Sequence, residues 1–326
     1  MEKNMKNLIG KILSNVLNLL RKTEFFSYFE INRYYSDFYT QELMLADKVR
    51  IDTYYKGITR LVKPGDTVLD IGTGTGILSF FAARTGAKKV YAIDLSDIIS
   101  TAKRVAAHNK IDNIEFIKTN SRDFVLDSPV DVIVHEQIAP FIFEEYMVET
   151  ICDVRDRLLK KDGIIIPSLF EFFIEPVKVK DSLHIPFIRE QKIHDIDFTF
   201  LEAAPSDTKY HIIYYRDGNF VDYLLCDPEP VYRFDLKNIN PTDIPKVFNY
   251  SRRVIRGGRL DGFVVYFRCI FDEETEFITS PIAPHVHWRY GLIRVESEVY
   301  EKGQPIQFEL KADSLKNISS WHWSHK

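Results

Sequence analysis

Short apolar runs alternate with segments of helical periodicity in the first half of the chain. The runs that predict strands lie at 67–71, 89–94, 114–118, 130–135 and 163–167. The segments with helical spacing lie at 34–60, 76–85, 97–109 and 144–159. Alternation of this kind predicts a parallel sheet wrapped by helices, with ligands bound at the carboxyl ends of the strands.

The pattern changes after Pro167, where apolar residues alternate with polar ones and turn residues separate the runs. The strands predicted there lie at 171–179, 210–215, 231–236, 262–271, 288–299 and 305–311. Such a series predicts an antiparallel barrel or sandwich. Residues 182–209 lack strand periodicity, which predicts a long loop or a helical excursion.

The N-terminal segment 6–22 has an apolar helical face made by Ile9, Ile12, Leu13, Val16 and Leu20. This spacing predicts a helix that packs on the domain or on a partner subunit, with a basic membrane-surface helix as the alternative. Polar residues interrupt the run too often for a secretory leader. No apolar run reaches the length of a membrane span.

The composition narrows the class of protein. The 326 residues are 45% hydrophobic and carry a net charge of −4, which fits one large or two ordinary domains and argues against general binding of nucleic acid. The basic run at 252–259 is interpreted as a solvated turn, and the histidines at 321–325 lack the further ligands of a metal site. Three widely spaced cysteines predict a reducing compartment, the cytoplasm.

The first predicted strand ends in a glycine-rich turn that carries Gly72, Gly74 and Gly76. A dinucleotide fingerprint would place its third glycine at Ile77 instead, so the spacing is wrong for a dehydrogenase. The strand contains Asp70, and the second strand ends in Asp94, where a carboxylate can accept ribose hydroxyls. Carboxylates near the turn and the lack of a phosphate-binding lysine favour an adenosine that carries a cation, S-adenosylmethionine.

Two carboxylates bracket the apolar loop that follows the fourth strand. Glu136 comes directly after that strand, and Glu145 lies nine positions later, beyond Pro140. Paired carboxylates match the rigid five-donor fork of a guanidinium. The alternative is that Glu144 and Glu145 are first-turn residues of the next helix, favoured by its dipole.

From Tyr34 onward the chain resembles the protein arginine methyltransferase family, in which two glutamates nine positions apart grip the substrate guanidinium. The resemblance implies a helix over the cofactor that carries Tyr35, Met44 and Arg50, with Arg50 paired to the methionine carboxylate of the cofactor. It also implies that Asp123 lies near the adenine amino group. The segment Val286-His287-Trp288 resembles the family's Thr-His-Trp loop, so His287 is a predicted active-site residue, unless it is an ordinary packed histidine.

The predicted site has two overlapping sets of residues. The catalytic set is Glu136, Glu145 and His287. The set that binds the cofactor is Tyr35, Met44, Arg50, Asp70, Gly72, Gly74, Gly76, Asp94, Leu95, Arg122, Asp123 and Glu136. No metal is predicted.

The resemblance implies an α/β Rossmann-like methyltransferase domain at 34–167 and an antiparallel β-barrel domain at 168–326. It places an inserted dimerisation arm at 182–215, which implies a homodimer. Residues 1–33 are assigned to the N-terminal amphipathic helix, on the spacing of their apolar residues. The chain departs from the family at the first glutamate, where 135–140 reads His-Glu-Gln-Ile-Ala-Pro rather than Ser-Glu-Trp-Met-Gly-Tyr. Gln41 stands where a histidine is usual and Ile31 where an aromatic residue is usual.

The function predicted from these residues is S-adenosylmethionine-dependent N-methylation of an arginine in a protein or peptide. Two alternatives stay open: methylation of free arginine or another small guanidine or amine, and a non-catalytic dimeric binding protein of the same fold. In the leading hypothesis the glutamates hold the guanidinium in line with the methyl group, and Glu145 or His287 takes the proton.

Overall fold

The computed structural model describes residues 35–201, 212–215 and 220–326. The helix predicted at 6–22 lies outside the described residues. In these three ranges no helix is both long and apolar enough to cross a membrane.

Two helices precede the parallel sheet, α1 (Phe38–Ala46) and α2 (Lys48–Leu61). The sequence predicts one continuous helix here, and that prediction is wrong at Asp47, whose backbone is extended. The Asp47 carboxylate accepts a hydrogen bond from the backbone N–H of Arg50 and caps α2. The break therefore fixes where α2 begins and where its first turn points.

The parallel sheet contains β1 (Thr67–Ile71), β2 (Lys89–Asp94), β3 (Ile114–Lys118), β4 (Val130–His135) and β5 (Leu159–Ile166). The helices between them are α3 (Ile77–Arg84), α4 (Ile99–His108) and α5 (Met147–Leu158). The first four strands have the predicted bounds, whereas the fifth begins at Leu159, earlier than predicted. The strand order is β3-β2-β1-β4-β5, and all the pairs are parallel.

The order of the parallel strands reverses between β1 and β4, which is where such sheets bind ligands. Ile71 pairs with His135 at the ends of these two strands. Gly72 and Glu136 therefore leave the sheet side by side, and the fold brings the two predicted motifs to one crevice.

The antiparallel half is built from long strands that follow Pro167. Its larger strands are β6 (Leu169–Val179), β13 (Gly258–Asp272) and β15 (Tyr290–Tyr300), and its smaller ones are β9 (Ile212–Tyr215), β10 (Val221–Leu224), β11 (Tyr232–Asp235) and β14 (Thr275–Ile278). Among the described residues these seven strands form one sheet. A second sheet contains β12 (Val247–Arg253), β16 (Pro305–Ala312) and β17 (Trp321–His325). The predicted α/β Rossmann-like half followed by an antiparallel β-barrel is confirmed.

The described part of the inserted segment, 182–201, carries a 3-10 turn at Ile188–Glu190 and a hairpin of β7 (Lys192–Ile193) and β8 (Ile196–Asp197). Apart from these short elements, the described residues 182–201 form a loop. The sequence did not predict β10, β12, β14 or β17. It also interpreted Arg252 as part of a solvated turn, but Arg252 lies in β12 and pairs with the fully buried Glu175 at 2.6 Å.

Helix α2 packs directly on the barrel. A Cβ built on Gly57 would overlap the ring of Phe271, so the absence of a side chain permits the close approach. Tyr54 meets the same ring edge-on, with 4.9 Å between centroids. Because α2 also carries Arg50, the barrel contributes to the position of a residue that the crevice uses.

Candidate active site

A cavity of about 1200 Å³, counting its part open to solvent, lies at the carboxyl ends of β1, β2 and β4. The predicted residues that line it are Tyr35, Met44, Arg50, Gly72, Gly74, Asp94, Leu95, Glu136 and Glu145. Those that lie outside the lining are Asp70, Gly76, Arg122, Asp123 and His287. One end of the cavity, the turn end, is formed by the glycine turn and Asp94. The other, the glutamate end, is formed by Glu136, Glu145 and their partners.

The Asp94 carboxylate joins the glycine turn to the backbone that follows β2. One carboxylate oxygen accepts from the N–H of Gly74 at 2.8 Å, and the other accepts from the N–H and hydroxyl of Ser96 at 2.7 and 2.6 Å. Gly74 has a φ of +54°, a conformation that favours glycine. The carboxylate is thereby fixed in orientation at the tip of β2, where it faces the cavity.

Asp70 and Gly76 support the turn from beneath. Asp70 is fully buried and accepts hydrogen bonds from the hydroxyls of Thr73 at 2.7 Å and Ser79 at 2.6 Å. Burial raises the pKa of Asp70 to about 6, against the effect of the two hydroxyls. Gly76 has a φ of +89° and directly precedes α3 as its N-cap residue. Both residues therefore shape the turn without reaching the cavity.

The region beyond β3 differs from the prediction. Thr119, Asn120 and Ser121 line the cavity there, whereas Arg122 and Asp123 are exposed and lie outside the lining. The backbone N–H of Asp123 donates to the carbonyl of Asn120 at 3.0 Å, which turns the chain away. The polar groups that face a ligand at this point are thus an amide and hydroxyls rather than an acid.

Arg50 and Glu136 form an ion pair at the glutamate end. A terminal guanidinium nitrogen of Arg50 donates to Glu136 Oε2 at 2.7 Å, and the other donates to the carbonyl of Met44 at 2.8 Å. The two charged side chains are 6% and 11% exposed. A buried ion pair needs both partners in place, so this contact fixes the position of the Glu136 side chain beside the cavity.

Glu145 is held by a tyrosine. The hydroxyl of Tyr35 donates to Glu145 Oε1 at 2.6 Å. Burial raises the pKa of Glu145 to about 7; the bond from Tyr35 opposes this shift, and the charges of Glu136 and Glu144 add to it. A carboxylate with this pKa can accept a proton near neutral pH. Helix α5 begins only at Met147, so the interpretation of Glu144 and Glu145 as first-turn helix residues is wrong.

The loop between the two glutamates is part of the hydrophobic core. Phe141 and Ile142 are fully buried, and Ile142 has a φ of +67°, which is strained for a β-branched residue. The indole N–H of Trp288 donates to the carbonyl of Ile138 at 2.6 Å. A Cβ on Gly291 of β15 would overlap the Phe141 ring. The barrel thus imposes the loop conformation that sets the two carboxylates.

His287 lies between the barrel and the start of α2. Its Nδ1 lies 2.9 Å from Asp47 Oδ2, and its backbone N–H donates to the same oxygen at 2.7 Å. Asp47 caps the helix that carries Arg50. The contacts of His287 are those of a residue that links α2 to the barrel, and its predicted catalytic role stays a prediction.

His135 is one of the residues at which the chain departs from the family motif. It is fully buried, and its Nε2 lies 2.9 Å from the carbonyl of Pro167. Burial lowers the pKa of His135 to about 4, so the imidazole is neutral and Nε2 donates the bond. His135 is absent from the cavity lining, so this departure does not alter the ligand surface.

Sequence reasoning did not assign a role to two glutamines that line the cavity. Gln41 is 5% exposed and donates to the carbonyl of Tyr35 at 2.7 Å. Gln137 packs against Gly72, and its carboxamide oxygen is buried without a hydrogen-bond partner. Both stood out in the sequence only as departures from the family motif. Across the described ranges, no cluster of three acidic, histidine or cysteine side chains could hold a metal.

Known proteins are similar to this chain over most of its length. Residues 53–169 match the family described as ribosomal protein L11 methyltransferase (PrmA). Protein arginine N-methyltransferase 6 of Danio rerio is 31% identical over 292 residues, which cover 86% of this chain and 82% of that protein. Protein arginine N-methyltransferase PRMT10 of Arabidopsis thaliana is 36% identical over 319 residues, covering 86% and 79%.

Solved structures match the same architecture. The open conformation of Arabidopsis thaliana protein arginine methyltransferase 10 gives a TM-score of 0.73 at 26% identity, over 87% of this chain and 91% of that one. A Trypanosoma brucei PRMT1 enzyme–prozyme heterotetrameric complex with AdoHcy gives 0.74 at 23% identity, again over 87% and 91%. At 23% identity, the second match shows a shared fold alone. Both matches span the parallel and the antiparallel sheets.

Proposed function

The chain belongs to the protein arginine N-methyltransferase family, and we propose that it transfers a methyl group from S-adenosylmethionine to an arginine guanidino nitrogen of a protein or peptide. The observation that carries the proposal is the pair of carboxylates, Glu136 and Glu145, at the opposite end of the cavity from Asp94. Each carboxylate has its own oriented donor, Arg50 and Tyr35 respectively. The site therefore presents two fixed acceptors to a flat cation.

The cavity fits S-adenosylmethionine by the chemistry of its lining. Asp94 supplies acceptors for the ribose hydroxyls, and Asn120 supplies an amide for the adenine. At the glutamate end, Arg50 offers a cation for the carboxylate of the methionine portion. When bound, the cofactor supplies a methyl group attached to a positively charged sulfur.

The two glutamates activate the acceptor by binding it. A guanidinium is a poor nucleophile because its lone pairs are delocalised and its pKa is above about 12. Hydrogen bonds from two of its nitrogens to Glu136 and Glu145 localise the charge and leave the third nitrogen oriented for attack. Positioning of this kind supplies much of the rate. Glu145 can then take the proton, since burial raises its pKa to about 7.

The test is a product screen by mass spectrometry. The protein is incubated with isotopically labelled S-adenosylmethionine and, separately, with arginine-containing proteins, short arginine peptides and free arginine. We expect label in the proteins or peptides, and none when Glu136 is changed to Gln. Glu273→Gln, at an exposed position, is the matched control and should keep its activity. Label in free arginine alone would replace the proposal with a small-molecule methyltransferase, and no label in any acceptor would favour a binding protein.

We also propose that the protein is a homodimer joined through its inserted arm. The arm exposes six large apolar side chains: Leu183, Ile185, Ile188, Ile193, Ile196 and Phe200. Several exposed apolar side chains on one short segment support an interface there. A second exposed group, Phe38, Tyr39 and Tyr55, lies on α1 and α2 and offers a surface for the arm of another copy. Light scattering should show a dimer for the wild type and a monomer for an Ile188→Glu, Ile196→Glu double variant.

We propose a cofactor domain at 34–167, a barrel domain at 168–326, the arm at 182–215 and a separate N-terminal helix at 1–33. All three cysteines are buried free thiols, which supports a reducing compartment such as the cytoplasm.

A further inference from the structure

The C-terminal segment 313–321 contacts the loop between the two glutamates at two points. The ring of Trp321, at the start of β17, packs against the Phe141 ring with 5.2 Å between centroids. The ammonium of Lys316 lies 4.1 Å from the centroid of the Tyr146 ring. The barrel therefore contacts this loop within its length and again directly after its second glutamate.

Tyr146 joins Glu145 to helix α5 in an unfavourable backbone conformation. Its φ is +57° and its ψ is +23°, left-handed values that residues other than glycine seldom adopt. Its carbonyl accepts a hydrogen bond from the N–H of Thr150 at 2.9 Å, so the helix begins directly behind it. A strained residue keeps its conformation only where its surroundings impose it. Any relaxation at Tyr146 would also displace the residue before it, Glu145.

Lys316 is held in place to impose this conformation. It lies in a short loop in which the Ser320 hydroxyl accepts from the N–H of Ser314 at 3.0 Å and donates to the carbonyl of Ser314 at 2.8 Å. The Lys316 ammonium also pairs with Glu149 of α5 at 2.5 Å. Both side chains of this pair are 32% exposed, and exposed ion pairs stabilise little. The contact that bears on the site is the one with the Tyr146 ring, because Tyr146 lines the cavity.

The side chain of Glu145 has its own donor, Tyr35, but that bond reaches only the carboxylate and does not fix the backbone. We propose that Lys316 is a positioning residue whose contact with the Tyr146 ring holds the left-handed turn, and that this turn sets the Glu145 carboxylate toward the acceptor. Lys316 lies outside the cavity lining, so it acts through Tyr146. The inference rests on the proposed function in the role that it gives Glu145.

Lys316→Met keeps the aliphatic length of the side chain and removes the cation. Turnover at saturating substrate should fall about two- to fivefold, as for loss of a partly exposed contact between a cation and a ring. Affinity for S-adenosylhomocysteine should change less than about twofold. Lys316→Arg keeps a cation for the ring and should recover most of the rate. Lys302→Met, at an exposed position of the same half, is the matched control, and thermal melting establishes that each variant is folded.

Two further variants separate the ring contact from the ion pair. Glu149→Gln removes the pair and leaves the ring contact, so turnover should be retained. Tyr146→Asn has no ring and tolerates the left-handed conformation, so adding Lys316→Met to it should cause no further loss. A loss in Glu149→Gln equal to that in Lys316→Met would overturn the inference, as would a full further loss in the Tyr146→Asn background.

Crystal structures of the complex with S-adenosylhomocysteine provide a readout that does not depend on turnover. In Lys316→Met we expect Tyr146 to leave the left-handed region and the 2.6 Å bond between Tyr35 and Glu145 to be broken or split between two positions. Unchanged positions of Tyr146 and Glu145, or unchanged turnover, would show that Lys316 does not position them. A wild type that labels no acceptor would contradict the proposed function, and the two structures would still decide the inference.

Discussion

The two ends of the cavity are built in different ways. At the turn end, the bond from Gly74 to Asp94 joins residues 20 positions apart, and those that hold Asp70 join residues 3 and 9 apart. At the glutamate end, Tyr35 and Glu145 are 110 positions apart, and Trp288 and Ile138 are 150 apart. One end is therefore a local product of strand, turn and strand, whereas the other requires the barrel to be in place.

This difference predicts that the two ends can be damaged separately. Changes to Glu145, or to the loop that positions it, should reduce turnover while the cofactor still binds. Changes at the turn end should weaken cofactor binding and leave turnover at saturation largely intact. Measuring turnover and S-adenosylhomocysteine affinity on each variant tests the separation directly.

The largest effect is expected for Glu145→Gln. The amide keeps the size of the side chain but carries no charge for the guanidinium and takes no proton, so turnover should fall about 10²–10³-fold. Affinity for S-adenosylhomocysteine should stay within about threefold, because the turn end is unchanged. Glu149→Gln, on the neighbouring helix α5, is the matched control. A comparable loss of affinity in Glu145→Gln would show that the two ends are not separable.

Asp94→Asn is the converse change at the turn end. The amide nitrogen cannot accept the bonds that the carboxylate makes with Gly74 or Ser96, and it loses an acceptor for the ribose. Affinity for S-adenosylhomocysteine should fall about 100-fold in calorimetry, as for two lost charge-assisted bonds, with turnover at saturation reduced only a few-fold. Asp97→Asn, a highly exposed position, is the control. Unchanged affinity in Asp94→Asn would remove the carboxylate from the binding site.

The sequence predicts the turn end of the cavity well and the glutamate end only in part. The turn and the first four parallel strands follow from short-range pattern, and their bounds are correct. The apolar loop between Glu136 and Glu145 is evident in the sequence, but its packing is not: residues such as Phe141 are core residues under the barrel. No local pattern reveals that Gly291 leaves room for that ring.

The partners of charged residues are equally hard to predict when they lie far apart in the sequence. Asp123 is predicted to lie near the adenine; in the structure it lies outside the cavity lining, to which Asn120 contributes. Arg252 lies in a basic run that suggests solvent, and only the fold brings it to Glu175. The helix break at Asp47 could have been predicted from the sequence, since aspartate is a favoured helix cap. Local chemistry was thus readable, while pairing partners far along the chain were not.

Gly291→Ala tests whether the barrel sets the glutamate loop from a distance. The added methyl would overlap the Phe141 ring and must shift the loop that joins Glu136 to Glu145. Turnover should fall about tenfold, since small displacements of catalytic groups are costly. Affinity for S-adenosylhomocysteine should be retained.

A second substitution sharpens this result. In a Gly291→Ala, Phe141→Leu double variant the smaller side chain makes room for the methyl, so turnover should recover relative to the single variant. Gly303→Asn, whose added side chain meets open space and tolerates the positive φ, is the control. If Gly291→Ala is as active as the wild type, the loop does not depend on the barrel at this contact.

The smallest effect is expected in the pH profile of Tyr35→Phe. In the wild type, Glu145 must be ionised to bind the guanidinium and accept its proton, and its pKa is about 7. Turnover should therefore rise with pH through this value, with about a tenth of the plateau rate at pH 6. The Tyr35 hydroxyl stabilises the ionised form, so its removal should raise the pKa of Glu145 and move the rising limb to higher pH. At pH above the new limb the variant should recover most of its rate, because Glu145 is again charged. A limb that stays in place, or moves to lower pH, would show that the titrating group at the glutamate end is not Glu145.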